Sequence, residues 1–144
     1  MDRRLYPTTP IVGVGAAVFR GREVLLIKRG KPPLQDVWTL PGGRVKESET
    51  LTDAVAREIL EECNINIEIK DLIDIFEYIE KDDRGKTAFH YLVFDFLAVY
   101  RSGITTPKSD ALETLWVPMD RINEYNVTDK AKEIILKGFE MLEY

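Results

Sequence analysis

A Gly-rich turn feeding a short acidic helix, LPGGRVKESETLTDAVAREILEECNI from Leu40 to Ile65, constrains this chain more than any other stretch. Glu58, Glu61 and Glu62 stand at i, i+3 and i+4, so their side chains rise from one side of a helix. Two readings compete for them. A solvated acidic face would bring basic residues three or four places away, and Glu58 and Glu62 have none there. Glu61 alone reaches one, Arg57 at i−4. Like charges at this spacing cost roughly 0.2–0.5 kcal/mol per pair, and negative charge near a helix C-terminus opposes the macrodipole. A hard divalent cation, Mg2+ or Mn2+, would reverse both penalties by gathering carboxylate oxygens. Spacing alone leaves both readings open.

The helix itself is well signalled. Thr50, three residues before Asp53, makes a capping-box-like start, and Leu51, Val55 and Ile59 form an apolar stripe at i, i+4 and i+8. The acidic face therefore borders a buried seam, which would hold the carboxylates rigidly. Glu49, just ahead of the helix, can close the cluster from the side.

The run Gly43, Glu49, Arg57-Glu58-Ile59-x-Glu61-Glu62-x-Asn64-Ile65 resembles the signature box of the Nudix hydrolases at every motif position but one. The family's final glycine is Asn64 here, and Asn is the commonest non-Gly residue in the left-handed conformation that often follows a helix. The resemblance implies the Nudix α/β/α sandwich with a mixed sheet, the box helix packed against it. It also implies cleavage of a diphosphate linked to a nucleoside, by water attacking phosphorus with Mg2+ or Mn2+. The ion would be held by Glu58, Glu61, Glu62 and the Gly43 carbonyl, with Glu58 also orienting or deprotonating the water. Arg57 is expected to steer the cluster by pairing with Glu61 or Glu49, which puts Glu58, Arg57 and Glu61 in the catalytic set. Gly42 and Gly43, lacking Cβ, let backbone approach a ligand.

Length and composition bound the rest. With 144 residues, 44% of them apolar, a single domain spanning 1–144 with a substantial core is expected. Net charge −5 argues against a dominant nucleic-acid or anionic-membrane surface. One cysteine excludes an intrachain disulfide and fits a reducing compartment; Cys63 reads as a buried structural thiol. Met1–Pro10 carries no apolar signal-peptide core, and no apolar run approaches the roughly 20 residues of a spanning helix, so a cytoplasmic protein is expected. Dimers are common among Nudix enzymes, which makes a homodimer an expectation of the resemblance alone.

Ile11–Phe19 reads as a buried strand, turning at Arg20-Gly21-Arg22 into a second strand, Glu23–Ile27. Gly13-x-Gly15 hints at a dinucleotide fold, but no third glycine and no helix follow. In the basic loop 28–33, Arg29 offers a planar fork suited to a diphosphate, against the plainer reading of solvated charge. Trp38 either lines the substrate site or packs under the Pro-Gly-Gly turn.

Residues 65–79 read as one or two strands, 81–86 as a turn and 87–100 as the longest strand. His90 reads as a structural histidine; Phe76, Tyr78, Phe89 and Tyr91 read as core first and as a base-stacking surface second. Residues 101–110 read as a loop whose end brings two further carboxylates, Asp110 and Glu113, ahead of a strand at 115–118. A turn-capping Asp and an exposed Glu are the plain alternatives. A short helical turn and a terminal helix from Thr128 complete the chain.

The opening strands, the Lys28-Arg29-Gly30 loop and the LPGG turn are similar to Nudix members that act on ADP-ribose, so a nucleoside-diphosphate small molecule of that type is the leading expected substrate. The proline that marks many ADP-ribose enzymes beyond the box is Glu80 here, which keeps a (deoxy)nucleoside triphosphate pyrophosphohydrolase as the alternative. A non-catalytic nucleotide sensor is the third reading, disfavoured by the full carboxylate set.

Overall fold

The structure is a computed structural model that describes residues 5–30, 36–108 and 111–142. Strands β1 (Ile11–Arg20) and β2 (Glu23–Arg29) form a hairpin whose turn is made by Gly21 at φ +59°. Two short strands follow, β3 (Trp38–Thr39) and β4 (Gly42–Arg44), then helix α1 (Leu51–Cys63). Long strands β5 (Asn66–Lys81) and β6 (Thr87–Ser102) make a second hairpin. Strand β7 (Ala111–Pro118), a 3-10 turn (Met119–Glu124) and helix α2 (Asp129–Met141) end the described chain.

The sheet runs β3-β2-β1-β6-β5, with β4 added on β1 and β7 on β2. The β1 and β6 strands are parallel and the other pairs antiparallel, giving the mixed sheet expected. Strand periodicity splits β1 between two cores. Val14, Ala16 and Val18 face α1, packing with Val55, Ile59 and Cys63. Ala17 and Phe19 face α2, packing with Ala131, Ile134 and Ile135. An apolar run without alternation is thus what a strand covered on both faces requires. The result is an α/β/α sandwich.

Beyond shifts of one or two residues at strand ends, two stretches differ from the sequence reading. The Pro-Gly-Gly stretch is not a free turn: Gly42, Gly43 and Arg44 pair with Gly15, Val14 and Gly13. A Cβ on Gly42 would lie 2.1 Å from the Val14 carbonyl oxygen, so this pairing needs glycine. The 101–110 loop is shorter, because β6 extends to Ser102 and β7 begins at Ala111 rather than at Leu115. Pairing with β2 overrides the polar composition there.

Both ends of α1 are closed by the residues that mark them. The Thr50 hydroxyl accepts the Asp53 N–H at 3.1 Å. Asn64 caps the other end at φ +64°, its N–H bonding the Leu60 carbonyl at 3.0 Å. Its side chain then donates to the Ile104 carbonyl and accepts from Lys108 Nζ, both at 3.2 Å. The N–H groups of Thr106 and Lys108 satisfy the Cys63 and Glu62 carbonyls at 2.9 Å. Asn in place of glycine therefore ties segment 103–108 to the helix end. Among the described residues no helix is long and apolar enough to cross a membrane.

Candidate active site

Where β1, β4 and the second half of α1 meet, a cavity of about 590 Å³ opens over the sheet. One end is lined by Gly42, Gly43, Arg44, Glu58, Glu61 and Glu62, and Arg29 also lines the cavity. Strand β4 brings the Gly-Gly backbone against α1 because residue 43 has no side chain. A Cβ there would fall 2.2 Å from Glu58 Oε2. Glu62 is 4% exposed and accepts the Gly42 N–H at 3.0 Å. Glu61 is half-exposed at the mouth.

Arg57 organises this end. Its Nε and Nη2 grip the two oxygens of Glu49 at 2.6 and 2.9 Å, a bidentate fork. Its Nη1 donates to Glu58 Oε1 at 2.8 Å and Glu61 Oε2 at 3.1 Å, and Nη2 also reaches the Arg44 carbonyl at 2.9 Å. The expectation that Glu58 lacks a basic partner is therefore corrected. Helical spacing counts i±3 and i±4 neighbours, whereas a long guanidinium bends around the helix to its own neighbour in sequence. Hydrogen bonding from Arg57, helped by the Lys46 N–H, holds the Glu49 carboxyl down at about 2, and Glu49 in turn raises Arg57. Glu49 accordingly stands behind the cavity as the anchor of Arg57.

The donor set on this wall is all oxygen: three carboxylates and a backbone carbonyl. That chemistry suits a hard divalent cation. As the side chains stand, no group of three or more acids among the described residues closes into a cage around an ion. Arg57 occupies the space between Glu49, Glu58 and Glu61, supplying the positive charge that clustered carboxylates need.

Of the remaining candidates, Trp38 and Glu113 lie elsewhere, and Cys63 and His90 take the structural places expected of them. Trp38 packs edge-on against Tyr125, ring centroids 6.0 Å apart, and does not line the cavity. Glu113 is exposed on β7 and faces Lys28 at 3.7 Å. Asp110 lies outside the described residues. Cys63 is buried, and burial pushes its thiol up. His90 pairs with Glu77 at 3.2 Å.

The far end of the cavity was not legible from spacing. Phe76, Tyr78 and Tyr91, read as core first and as a stacking surface second, line it, while Phe89 is buried. They share one sheet face because Phe76 pairs with Val93 and Tyr78 with Tyr91 across β5 and β6. Gly13 and Gly15 form the floor, and Thr128, Lys130 and Ala131 from the start of α2 form the opposite wall. Asp95, also 4% exposed, lies on this floor. The signal for it is one charged residue inside the apolar run TAFHYLVFDFLAVY.

Comparison with known proteins agrees with this geometry. Residues 9–137 match the family model described as NUDIX domain. An ADP-ribose pyrophosphatase of Methanocaldococcus jannaschii is 34% identical over 94 residues, covering 65% of this chain and 55% of that protein. The human 8-oxo-dGDP phosphatase NUDT18 is 34% identical over 100 residues, covering 67% of this chain and 28% of that protein. The chain thus spans about half the length, or less, of these curated relatives. Among solved structures, a MutT NUDIX hydrolase from Burkholderia pseudomallei superposes with a TM-score of 0.77 at 30% identity, covering 90% of this chain and 98% of that one. With the box on α1, the sandwich around it and a family match over nearly the whole chain, this protein belongs to the Nudix hydrolase family.

Proposed function

We propose that this protein hydrolyses the diphosphate of a nucleoside diphosphate linked to a second group, with ADP-ribose or a nucleotide sugar as substrate. The observation that carries this is the cavity itself, which joins an acidic oxygen-lined end to an aromatic end. A dianionic diphosphate would be repelled by Glu58, Glu61 and Glu62 unless a cation lay between them. Glu58, Glu61, Glu62 and the Gly43 carbonyl would hold a divalent ion, Mg2+ or Mn2+. When bound it neutralises the diphosphate and lowers the pKa of water. The protein's own part is positional. Arg57 fixes Glu58 and Glu61, Gly43 lets Glu58 approach the backbone, and the Gly42 N–H orients Glu62. Glu58 accepts or orients the proton of the attacking water. Arg29, which also lines the cavity, adds positive charge toward the phosphates.

Similarity to the archaeal ADP-ribose pyrophosphatase supports the choice of substrate. Similarity to the human 8-oxo-dGDP phosphatase and to the MutT structure favours a nucleoside di- or triphosphate as the second reading. A panel of ADP-ribose, nucleotide sugars, nucleoside triphosphates and dinucleoside polyphosphates with Mg2+ or Mn2+, scored by products, separates them. AMP plus ribose 5-phosphate is expected from ADP-ribose. Pyrophosphate released from triphosphates, with ADP-ribose untouched, would select the second reading. No product from any of them would remove both.

A further inference from the structure

The last turn of α1, which carries Glu61 and Glu62, is finished by a segment distant in sequence. Helix geometry leaves the final carbonyls without partners inside the helix. The Asn64 N–H takes that of Leu60, and segment 103–108 takes the next ones: Thr106 N–H bonds Cys63 and Lys108 N–H bonds Glu62. Glu62 is thereby held at both ends, its carbonyl by Lys108 and its carboxylate by the Gly42 N–H at 3.0 Å. Glu58, one turn deeper, rests on Arg57 and Gly43 instead.

Apolar burial does not hold that segment. Residues 103–108 form neither helix nor strand and are exposed apart from half-buried Thr105, with Ile104 82% exposed. Hydrogen bonds do the holding. At the entry Gly103 takes φ +103°, where a Cβ would lie 2.7 Å from the Asn64 carbonyl oxygen, and the Tyr100 hydroxyl donates to the Gly103 carbonyl at 2.6 Å. Further along, the Asn64 side chain donates to the Ile104 carbonyl and accepts from Lys108 Nζ, both at 3.2 Å. Glycine at 64, the residue of the Nudix box, would keep the left-handed cap and lose both of these bonds.

We infer that Asn64 and Lys108 are positioning residues: together they clamp segment 103–108 to α1 and so hold its last turn, with Glu61 and Glu62, in place for the divalent ion. That role rests on the divalent-ion reading of these acids and names what steadies them. Neither residue lines the cavity, so both act through the helix end. A fraying last turn lets Glu61 and Glu62 take other positions, and loosely placed ligands hold an ion less well. Charge alone forecasts the opposite. Lys108 is a cation beside the helix that carries the acids, and removing it would by itself strengthen cation binding.

The test reads Mn2+ affinity by electron paramagnetic resonance and amide hydrogen exchange at Thr106 in the same proteins. In Asn64→Gly, Thr106 exchange should quicken about 5-fold or more and Mn2+ binding should weaken about 3–10-fold, the worth of one or two modest hydrogen bonds. Lys108→Ala should weaken Mn2+ binding about 2–5-fold, against the sign of its charge, while Lys108→Arg, which keeps a donor, should stay within about 2-fold of wild type. Asn64→Gly/Lys108→Ala should bind no more weakly than Asn64→Gly, because the lysine has already lost its acceptor. Faster Thr106 exchange with unchanged Mn2+ affinity in Asn64→Gly would overturn the positioning role and leave a tie that is structural only. Stronger Mn2+ binding in Lys108→Ala, or weaker binding in Asn64→Gly without faster exchange, would overturn it too. A wild type that binds no Mn2+ would remove the divalent-ion reading itself, and the positioning role with it.

Discussion

At one end of the cavity Glu58 lies against Gly43 and is hydrogen-bonded by Arg57; at the other Asp95 lies against Gly15 while Lys130 turns to Asp74 and Glu133. Both ends seat a carboxyl on a glycine of the β1–β4 region, because only a residue without Cβ leaves the room. They differ in compensation. The Arg57 fork lies among three acids and keeps Glu49 ionised far into the acid range, whereas burial without a free cation pushes Asp95 toward the neutral form. The same residue type is thus held ionised at one end and pushed toward the neutral form at the other. What decides is whether a guanidinium reaches it.

Substitutions at the two ends should separate accordingly. The largest effect is expected at Glu58: Glu58→Gln should lower kcat on the cleaved substrate by about 10²–10⁴-fold, measured by product release. Arg57→Lys should cost about 10–100-fold, because an ammonium cannot fork to Glu49 and reach Glu58 together. Near-wild-type turnover in Arg57→Lys would mean that charge alone, without the fork, organises this end. Gly15→Ala should destabilise the fold by about 1–3 kcal/mol in urea titration, since the new Cβ meets the Asp95 carboxyl. An unchanged midpoint would show that Asp95 swings away freely.

The sharpest contrast is in stability, because the two acids tilt it in opposite directions with pH. Glu49 is depressed from 4.5 to about 2, so its contribution is present above 4.5 and lost as pH falls through about 2. Asp95 is raised from 3.8 to about 7, so its contribution is present below 3.8 and lost as pH rises through about 7. Chemical denaturation across pH 2–8 should show Asp95→Asn flattening the decline toward neutrality and Glu49→Gln flattening the decline toward acid. Parallel curves for wild type and Asp95→Asn would contradict the account of Asp95.

The acidic end was legible in sequence because helical spacing is local. The i, i+3, i+4 acids, the Thr50 cap, the Leu51-Val55-Ile59 stripe and the left-handed Asn64 all follow from residues within a few places of each other. The pairing of Arg57 with Glu49 was anticipated, and that with Glu58 was not, since rotamer direction is not a property of spacing. The far end depends on register between strands distant in sequence. Gly15 beside Asp95, and Phe76 beside Val93, become neighbours only when β1, β5 and β6 are laid side by side. An acid within an apolar strand is a visible anomaly, yet nothing in the run says which sheet face it takes. The strands β3 and β4 were missed for the same reason: their pairing with β2 and β1 outweighs the turn-forming tendency of Pro41-Gly42-Gly43.

The central claim is that Glu58, Glu61 and Glu62, steered by Arg57, hold a divalent ion. Mn2+ binding followed by electron paramagnetic resonance tests it directly on the wild type and on Glu58→Gln/Glu61→Gln, without reference to any substrate. Binding to the wild type, weakened about 10-fold or more in the folded double variant, is the expected result. Equal Mn2+ affinity in the two proteins, or none in either, would contradict it.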